Sequence, residues 1–310
     1  MTLAFLFPGQ GSQAVGMGQA LAEHHAIVRE TLDEAERISG VPLRRLCFEG
    51  PAEELQQTQN AQLALLTVST AIARLLHAHG VRPQFAAGHS LGEYSALVEG
   101  DAIAFERAVM LVKRRGELMA DAGKRVPGTM AAVLGFDAAK LERLCAEAKA
   151  TVVIANYNSP DQWVLSGTPE GVAEASERAR AEGAKRVIPL NVSGAFHSPL
   201  MHEPAREFAP TLDAETYVSP AIKVLANLDA GLYGTADEIP RKLAAQLDHP
   251  VRWQQCAQQL LDLGVDTCVE VGPGRVLSGL MKKLSPQVQT LNVEDPASLS
   301  KTLAALGVAV

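Results

Sequence analysis

The stretch Gly88-His89-Ser90-Leu91-Gly92-Glu93-Tyr94-Ser95-Ala96 constrains the fold more than any other part of the chain. The apolar run Gln84-Phe85-Ala86-Ala87 leads into it and reads as a short buried strand. An apolar helical pattern from Leu91 through Leu97 and Val98 leaves it. Gly-x-Ser-x-Gly between a strand and a helix is the pattern of a nucleophile elbow. Such a turn brings strand and helix backbones too close for a Cβ on either side, which is why glycine flanks the serine. The Ser90 hydroxyl is then expected above the end of a sheet, with the Leu91 amide pointing where an oxyanion would form.

The rest of the chain reads as strands alternating with helices. Leu3 to Phe7 is a continuous apolar run stopped by Pro8, the pattern of a central parallel strand. The loop Gly9-Gln10-Gly11-Ser12-Gln13 fits a plain tight turn. It also fits a second oxyanion donor, the Gln10 amide, but it lacks dinucleotide spacing and a Walker lysine. Helices are expected over 15–24, 27–38, 51–57, 62–79 and 104–122. From Gly128 the order becomes β-α-β-β-α-β, the split βαβ or ferredoxin-like pattern. The resulting expectation is an α/β fold, with an α/β-hydrolase-like large subdomain at 1–126 and 194–310 and an inserted ferredoxin-like small subdomain at 127–193. Gly128 and Ser193-Gly194 mark the junctions. Strands at 223–226, 267–271 and near Thr290, with helices between and after them, complete the larger body.

Composition matters here for what it excludes. The chain has 310 residues, 47% of them apolar, and a formal net charge of −7, which argues against a nucleic-acid binder. Four widely spaced cysteines with no CxxC pair suggest neither zinc nor a disulfide framework. The N-terminus lacks a basic n-region, and no stretch reads as approaching the ~18 apolar residues of a membrane span. A cytoplasmic protein is expected.

A serine nucleophile needs a base within reach. Among eight histidines, His197 stands out in Ser193-Gly194-Ala195-Phe196-His197-Ser198-Pro199, a loop after a strand at a subdomain junction, and His249 is next. No persuasive acid lies between serine and histidine, so a main-chain carbonyl orienting the imidazole, a dyad, is favoured over a triad. Arg115 falls on an otherwise apolar helix face, and a buried guanidinium demands an anionic partner.

Six segments occur together in order: Pro8-Gly9-Gln10-Gly11-Ser12-Gln13, Gly88 to Ala96, Lys113-x-Arg115-Gly116, Phe196-His197-Ser198, Pro250-Val251-Arg252-Trp253 and Glu270-Val271-Gly272-Pro273-Gly274. With these the chain resembles, over essentially its whole length, the malonyl-CoA:acyl carrier protein transacylases of bacterial fatty-acid synthesis. The acyltransferase domains of polyketide synthases are related. The resemblance implies that Ser90 attacks a malonyl thioester and that His197 takes its proton and returns it to the leaving thiolate. It implies an oxyanion hole from the Gln10 and Leu91 amides, and Arg115 paired with the malonyl carboxylate. Gln62 matches a glutamine lining the pocket. A main-chain carbonyl in Val251-Arg252-Trp253 would orient the histidine, with Arg252 where glutamine is frequent. Phe196 points to malonyl over methylmalonyl, because its ring would fill the space of an α-methyl.

The implied partners are malonyl-CoA and acyl carrier protein, with no metal, cofactor, nucleic acid or membrane, and a monomer is expected. A basic patch of Lys113, Arg114, Lys124, Arg125, Lys185 and Arg186 is expected to dock the acidic carrier. A stand-alone transferase loading polyketide carrier domains, a serine hydrolase sharing the elbow, and a silent carrier-binding scaffold are the alternatives.

Overall fold

The computed structural model describes residues 1–192 and 194–308. Ser193, expected at a junction, lies outside them. Five parallel strands form one sheet in the order β7-β2-β1-β8-β9, where β1 is Leu3–Phe7, β2 Phe85–Gly88, β7 Lys223–Val224, β8 Thr267–Val271 and β9 Gln289–Val293. β1 is buried at every position, as its unbroken apolar run requires. Its alternate residues serve two cores: Leu3, Phe5 and Phe7 pack on one face of the sheet, Ala4 and Leu6 on the other.

A second sheet, antiparallel throughout, has the order β4-β5-β3-β6, with β3 Thr129–Leu134, β4 Val152–Ser159, β5 Gln162–Gly167 and β6 Arg186–Pro189. The helices Ala138–Glu147 and Pro169–Ala181 cover one of its faces through Leu141, Leu144, Val172 and Ala175. From the other face Met130, Ala155 and Val164 join the core of the large body. A parallel bridge between Asn156 and Val251 ties the two bodies together: the Val251 amide donates to the Ala155 carbonyl (2.8 Å) and the Tyr157 amide to the Val251 carbonyl (3.0 Å).

Several boundaries differ from expectation for local reasons. The first helix starts at Gln19, not near residue 15, because Gly16 (φ 95°) and Gly18 (φ 76°) hold left-handed turns. A helix at Leu43–Phe48 went unread, and the one expected over 51–57 is the short Ala52–Leu55. Thr58–Ala78 corrects the reading that no segment is long and apolar enough to cross a membrane: it is, by length and hydropathy, but 83% of that window is buried in the protein. It is a core helix, packed against Phe105–Arg125. The motif at Glu270 has a structural explanation. The Glu270 carboxylate accepts from the amides of Leu277 (3.0 Å) and Ser278 (2.8 Å), capping the helix Val276–Leu284.

Candidate active site

β1 and β2 are neighbours, with Phe7 opposite Gly88, so the chain leaves both strands at the same carboxyl edge of the sheet. The turn after β2 is as cramped as its sequence suggests. A Cβ on Gly88 would lie 1.9 Å from the Gly92 carbonyl oxygen, and one on Gly92 would lie 2.0 Å from that of Phe7. Ser90 adopts φ 52°, a left-handed conformation that a non-glycine residue holds only when its surroundings compel it.

Asn227 supplies that compulsion. Its Oδ1 accepts from the Ser90 amide (2.6 Å) and its Nδ2 donates to the Gly88 carbonyl (2.7 Å), spanning the turn. Asn227 is fully buried and is held by its own backbone: its amide donates to Glu93 Oε2 (3.0 Å) and its carbonyl accepts from the Arg252 amide (3.0 Å). Asn227→Ala would leave the Gly88 carbonyl and Ser90 amide without these partners, at about 1–3 kcal/mol for each buried group. We expect a lowered thermal midpoint together with slower acylation of Ser90, measured by melting and by single-turnover labelling of the same preparation.

Ser90 Oγ lies 2.7 Å from His197 Nε2, and His197 Nδ1 lies 2.7 Å from the Gln246 carbonyl oxygen. A carbonyl can only accept, so Nδ1 carries the ring proton and Nε2 is left to accept from the serine hydroxyl. His197 also has a positive φ (57°), and its amide donates to the Leu247 carbonyl (3.1 Å). The arrangement is a dyad oriented by main chain, but the carbonyl belongs to Gln246, not to the Val251–Trp253 segment. That corrects the assignment to Arg252. Its amide instead holds Asn227, and its Nε donates to the Leu228 carbonyl (3.1 Å). His249 is exposed and bonds to Asp248 and the Ala245 carbonyl. The His89 ring bonds elsewhere, with Nε2 2.8 Å from Asn158 Oδ1.

Burial, and then the charge of Arg115, push the His197 imidazole down to about 3. The imidazole is therefore neutral at physiological pH. Below the ordinary histidine value the unfolded chain takes up this proton and the folded chain does not, so His197 makes stability fall as pH drops through that range.

Arg115 is completely buried. Its Nη1 donates to Gln62 Oε1 (2.6 Å), and its Nη2 to both Gln246 Oε1 (2.8 Å) and Ser90 Oγ (3.1 Å). The anionic partner that its burial called for is not among these acceptors. The carboxylate lies one amide further off: Gln246 Nε2 donates to Glu93 Oε2 (2.6 Å) and to the Ser90 carbonyl (3.0 Å). Gln62, also fully buried, donates its Nε2 to Met119 Sδ (3.3 Å).

A cavity of about 320 Å³ opens over this group. Gln10, Ser90 and His197 line it from the large body, and Met130, Asn156 and Leu190 from the side of the small sheet. Phe196 forms part of its wall. Among the described residues neither the Gln10 nor the Leu91 amide donates to a protein acceptor. Three of the six residues of the expected basic patch are paired with acids. Arg114, Lys124 and Arg125 pair with Glu117, Asp121 and Glu207, and Lys113 donates to the Ser39 carbonyl, leaving Lys185 and Arg186 exposed on the small sheet.

Residues 4–300 match the acyl transferase domain family. The chain belongs to this family. It is 45% identical over 307 residues to the malonyl CoA-acyl carrier protein transacylase of Bacillus subtilis (strain 168), covering 98% of this chain and 97% of that protein. A solved acyl carrier protein S-malonyltransferase from Vibrio cholerae superposes with a TM-score of 0.93 at 41% identity, covering 97% of this chain and 100% of that one. A type II PKS acyl-carrier protein in complex with its malonyl-transacylase gives a TM-score of 0.95 at 40% identity, covering 98% and 100%.

Sequence reasoning missed Asn227, Gln246 and Glu93. Gln246 ends an amphipathic helix, Glu238–Gln246, where a polar residue reads as solvated. Glu93 sits in the first turn of the helix Gly92–Glu99, where an acidic residue needs no further explanation than the helix dipole.

Proposed function

We infer that this protein moves a malonyl group from coenzyme A to the phosphopantetheine thiol of acyl carrier protein, through a malonyl ester on Ser90. The observation that carries the reading is a buried arginine within hydrogen-bond reach of an activated serine: Arg115 Nη2 to Ser90 Oγ, 3.1 Å. A hydrolase of neutral esters would have no use for a cation there. A donor carrying a carboxylate at the far end of its acyl group would.

In the first half-reaction His197 Nε2 accepts the Ser90 proton as Oγ attacks the thioester carbonyl. The tetrahedral oxyanion rests on the Gln10 and Leu91 amides. His197 then protonates the departing coenzyme A thiolate. The carrier's thiol enters, gives its proton to His197, and takes the acyl group by the reverse steps. The donor's carboxylate replaces Ser90 Oγ as an acceptor of Arg115, in a charge-assisted pair that fixes the acyl chain. It also neutralises the cation that helps hold His197 low, so donor binding raises the basicity of the imidazole when a base is needed. The Phe196 ring, beside His197 in the wall, disfavours an α-methyl on the acyl group.

The pH dependence follows from the His197 environment. Because burial and Arg115 depress it to about 3, kcat/KM for malonyl-CoA does not fall on the acid side at the ordinary histidine value. Initial rates from about pH 5 to about pH 8 check this, and a sigmoidal loss centred near about 6.5 would place the base in a solvated environment.

Exchange between thioester and ester involves no redox step, so the reading assigns no cofactor or metal. It takes residues 1–126 and 194–310 as an α/β-hydrolase-like catalytic subdomain and 127–193 as a ferredoxin-like insert, on the strength of the two sheet orders. It makes the protein a cytoplasmic monomer acting apart from membranes and nucleic acid. Fatty-acid synthesis is the main pathway. The likeness to a transacylase seen with a polyketide carrier favours a second use, loading polyketide synthase carriers. Transfer assays with purified carriers of both kinds, and with malonyl, methylmalonyl and acetyl donors, decide between them.

A further inference from the structure

Arg115 is a buried cation whose acceptors, Gln62, Gln246 and Ser90, are all neutral. Among the described residues no carboxylate makes an ion pair with it. Glu93 is a buried carboxylate whose donors, Tyr233 Oη, the Asn227 amide and Gln246 Nε2, are neutral as well. The two charges grip opposite ends of one amide: Glu93 Oε2 takes Gln246 Nε2, and Gln246 Oε1 takes Arg115 Nη2. That orientation fixes the Gln246 side chain, since only its NH₂ end can serve Glu93 and the Ser90 carbonyl. It also keeps the carboxylate off the guanidinium, so the group that balances Arg115 does not occupy the place of a ligand.

We propose that Glu93 is a specificity-determining positioning residue. As the resident counter-charge of Arg115, relayed through Gln246, it limits how tightly the site holds a carboxylated acyl donor. The proposal rests on the malonyl-transfer reading above and adds a residue that does not touch the acyl group. A donor carboxylate at Arg115 must share that cation with Glu93 and is repelled by it across the buried Gln246 amide. Tight donor binding would slow exchange with the carrier thiol, and Glu93 prevents it.

Removing the charge while keeping the shape tests this. Glu93→Gln retains an oxygen for the Asn227 amide and Gln246 Nε2, and presents its NH₂ to Tyr233 Oη, which turns to accept. The readout is the ratio of kcat/KM for malonyl-CoA to kcat/KM for acetyl-CoA, with carrier protein as acceptor. The ratio is expected to rise about tenfold in the variant, mostly through a lower KM for malonyl-CoA. A residue that merely props up the elbow would depress both donors together, and an unchanged or smaller ratio overturns the proposal. Should Glu93→Gln fail to fold, the unmodified protein gives the same test through pH. Burial pushes the Glu93 carboxyl up to about 7 against its three donors and the Arg115 charge. Of the groups around it, burial holds Tyr94, Tyr233 and Cys256 protonated, and Arg115, though lowered, remains a cation. Lys242, over the Tyr233 ring, pairs with Asp229 and Glu238. Lowering pH from about 8 to about 6 therefore protonates Glu93, and the ratio is expected to rise; a flat ratio overturns the proposal. Failure of the malonyl reading itself looks different, since wild type would then transfer no malonyl at all.

Discussion

Ser90→Ala is expected to abolish transfer of malonyl to carrier protein, by about 10⁴-fold or more, while leaving a folded protein. The side chain it removes is the only atom in the group placed to form a bond with the acyl carbon. The backbone of the turn stays satisfied, since the Ser90 amide still bonds to Asn227 and its carbonyl to Gln246, while His197 Nε2 and Arg115 Nη2 each lose one partner. His197→Ala removes the base and costs about 10²–10⁴-fold. On the proposed mechanism serine and histidine act as one unit, so the double variant is expected to be little worse than Ser90→Ala alone. Steady-state transfer by the three variants, with thermal melting to confirm folding, checks both statements. Independent, multiplying losses would mean that the 2.7 Å contact is not the catalytic one.

The second large effect concerns Arg115. A charge-assisted pair with a buried partner is worth about 2–5 kcal/mol when one side is truncated. Arg115→Ala should therefore lower kcat/KM for malonyl-CoA by about 30- to 5,000-fold, while acetyl transfer falls by less than about tenfold. Arg115→Lys keeps the charge but loses the fork that reaches Gln62 and Gln246 at once, and should fall between. The comparison of donors matters more than the size of the loss. Removing Arg115 also strips a partner from Gln62 and Gln246 and leaves Glu93 without its counter-charge, so some general damage is expected. Equal losses for both donors would reduce Arg115 to a structural residue.

The parts of the site that were legible in the sequence are those whose chemistry is local. Gly88 and Gly92 announce the elbow because a Cβ at either would collide with backbone, and that constraint lies within five residues. The run Leu3–Phe7 announces a central strand because a strand buried on both faces cannot alternate. Arg115 is visible as a cation within an apolar helical stripe, and its complete burial follows from that pattern. The parts that were not legible are made by the fold. Gln246 meets Ser90 and Arg115 across 156 and 131 positions of sequence, and Asn227 meets Gly88 across 139. In each case a single polar residue looks solvated until the packing is known. The carbonyl that orients His197 shows the same limit from another side. Any main-chain oxygen can do the work, so the side chain at that position carries no signal, and the sequence pointed to Arg252 where the structure uses Gln246. The ion pairs of Arg114, Lys124 and Arg125 were illegible for a related reason, since counting cations in sequence does not reveal the acids folded beside them.

The central claim, that Ser90 carries the malonyl group in transit, is tested most directly by intact-protein mass spectrometry after exposure to malonyl-CoA without carrier. The account predicts a gain of one malonyl group, located on the peptide bearing Ser90. Adding carrier protein should remove it and transfer the same mass to the carrier's phosphopantetheine thiol. An unmodified protein that still transfers malonyl, or an adduct on any other residue, would contradict it.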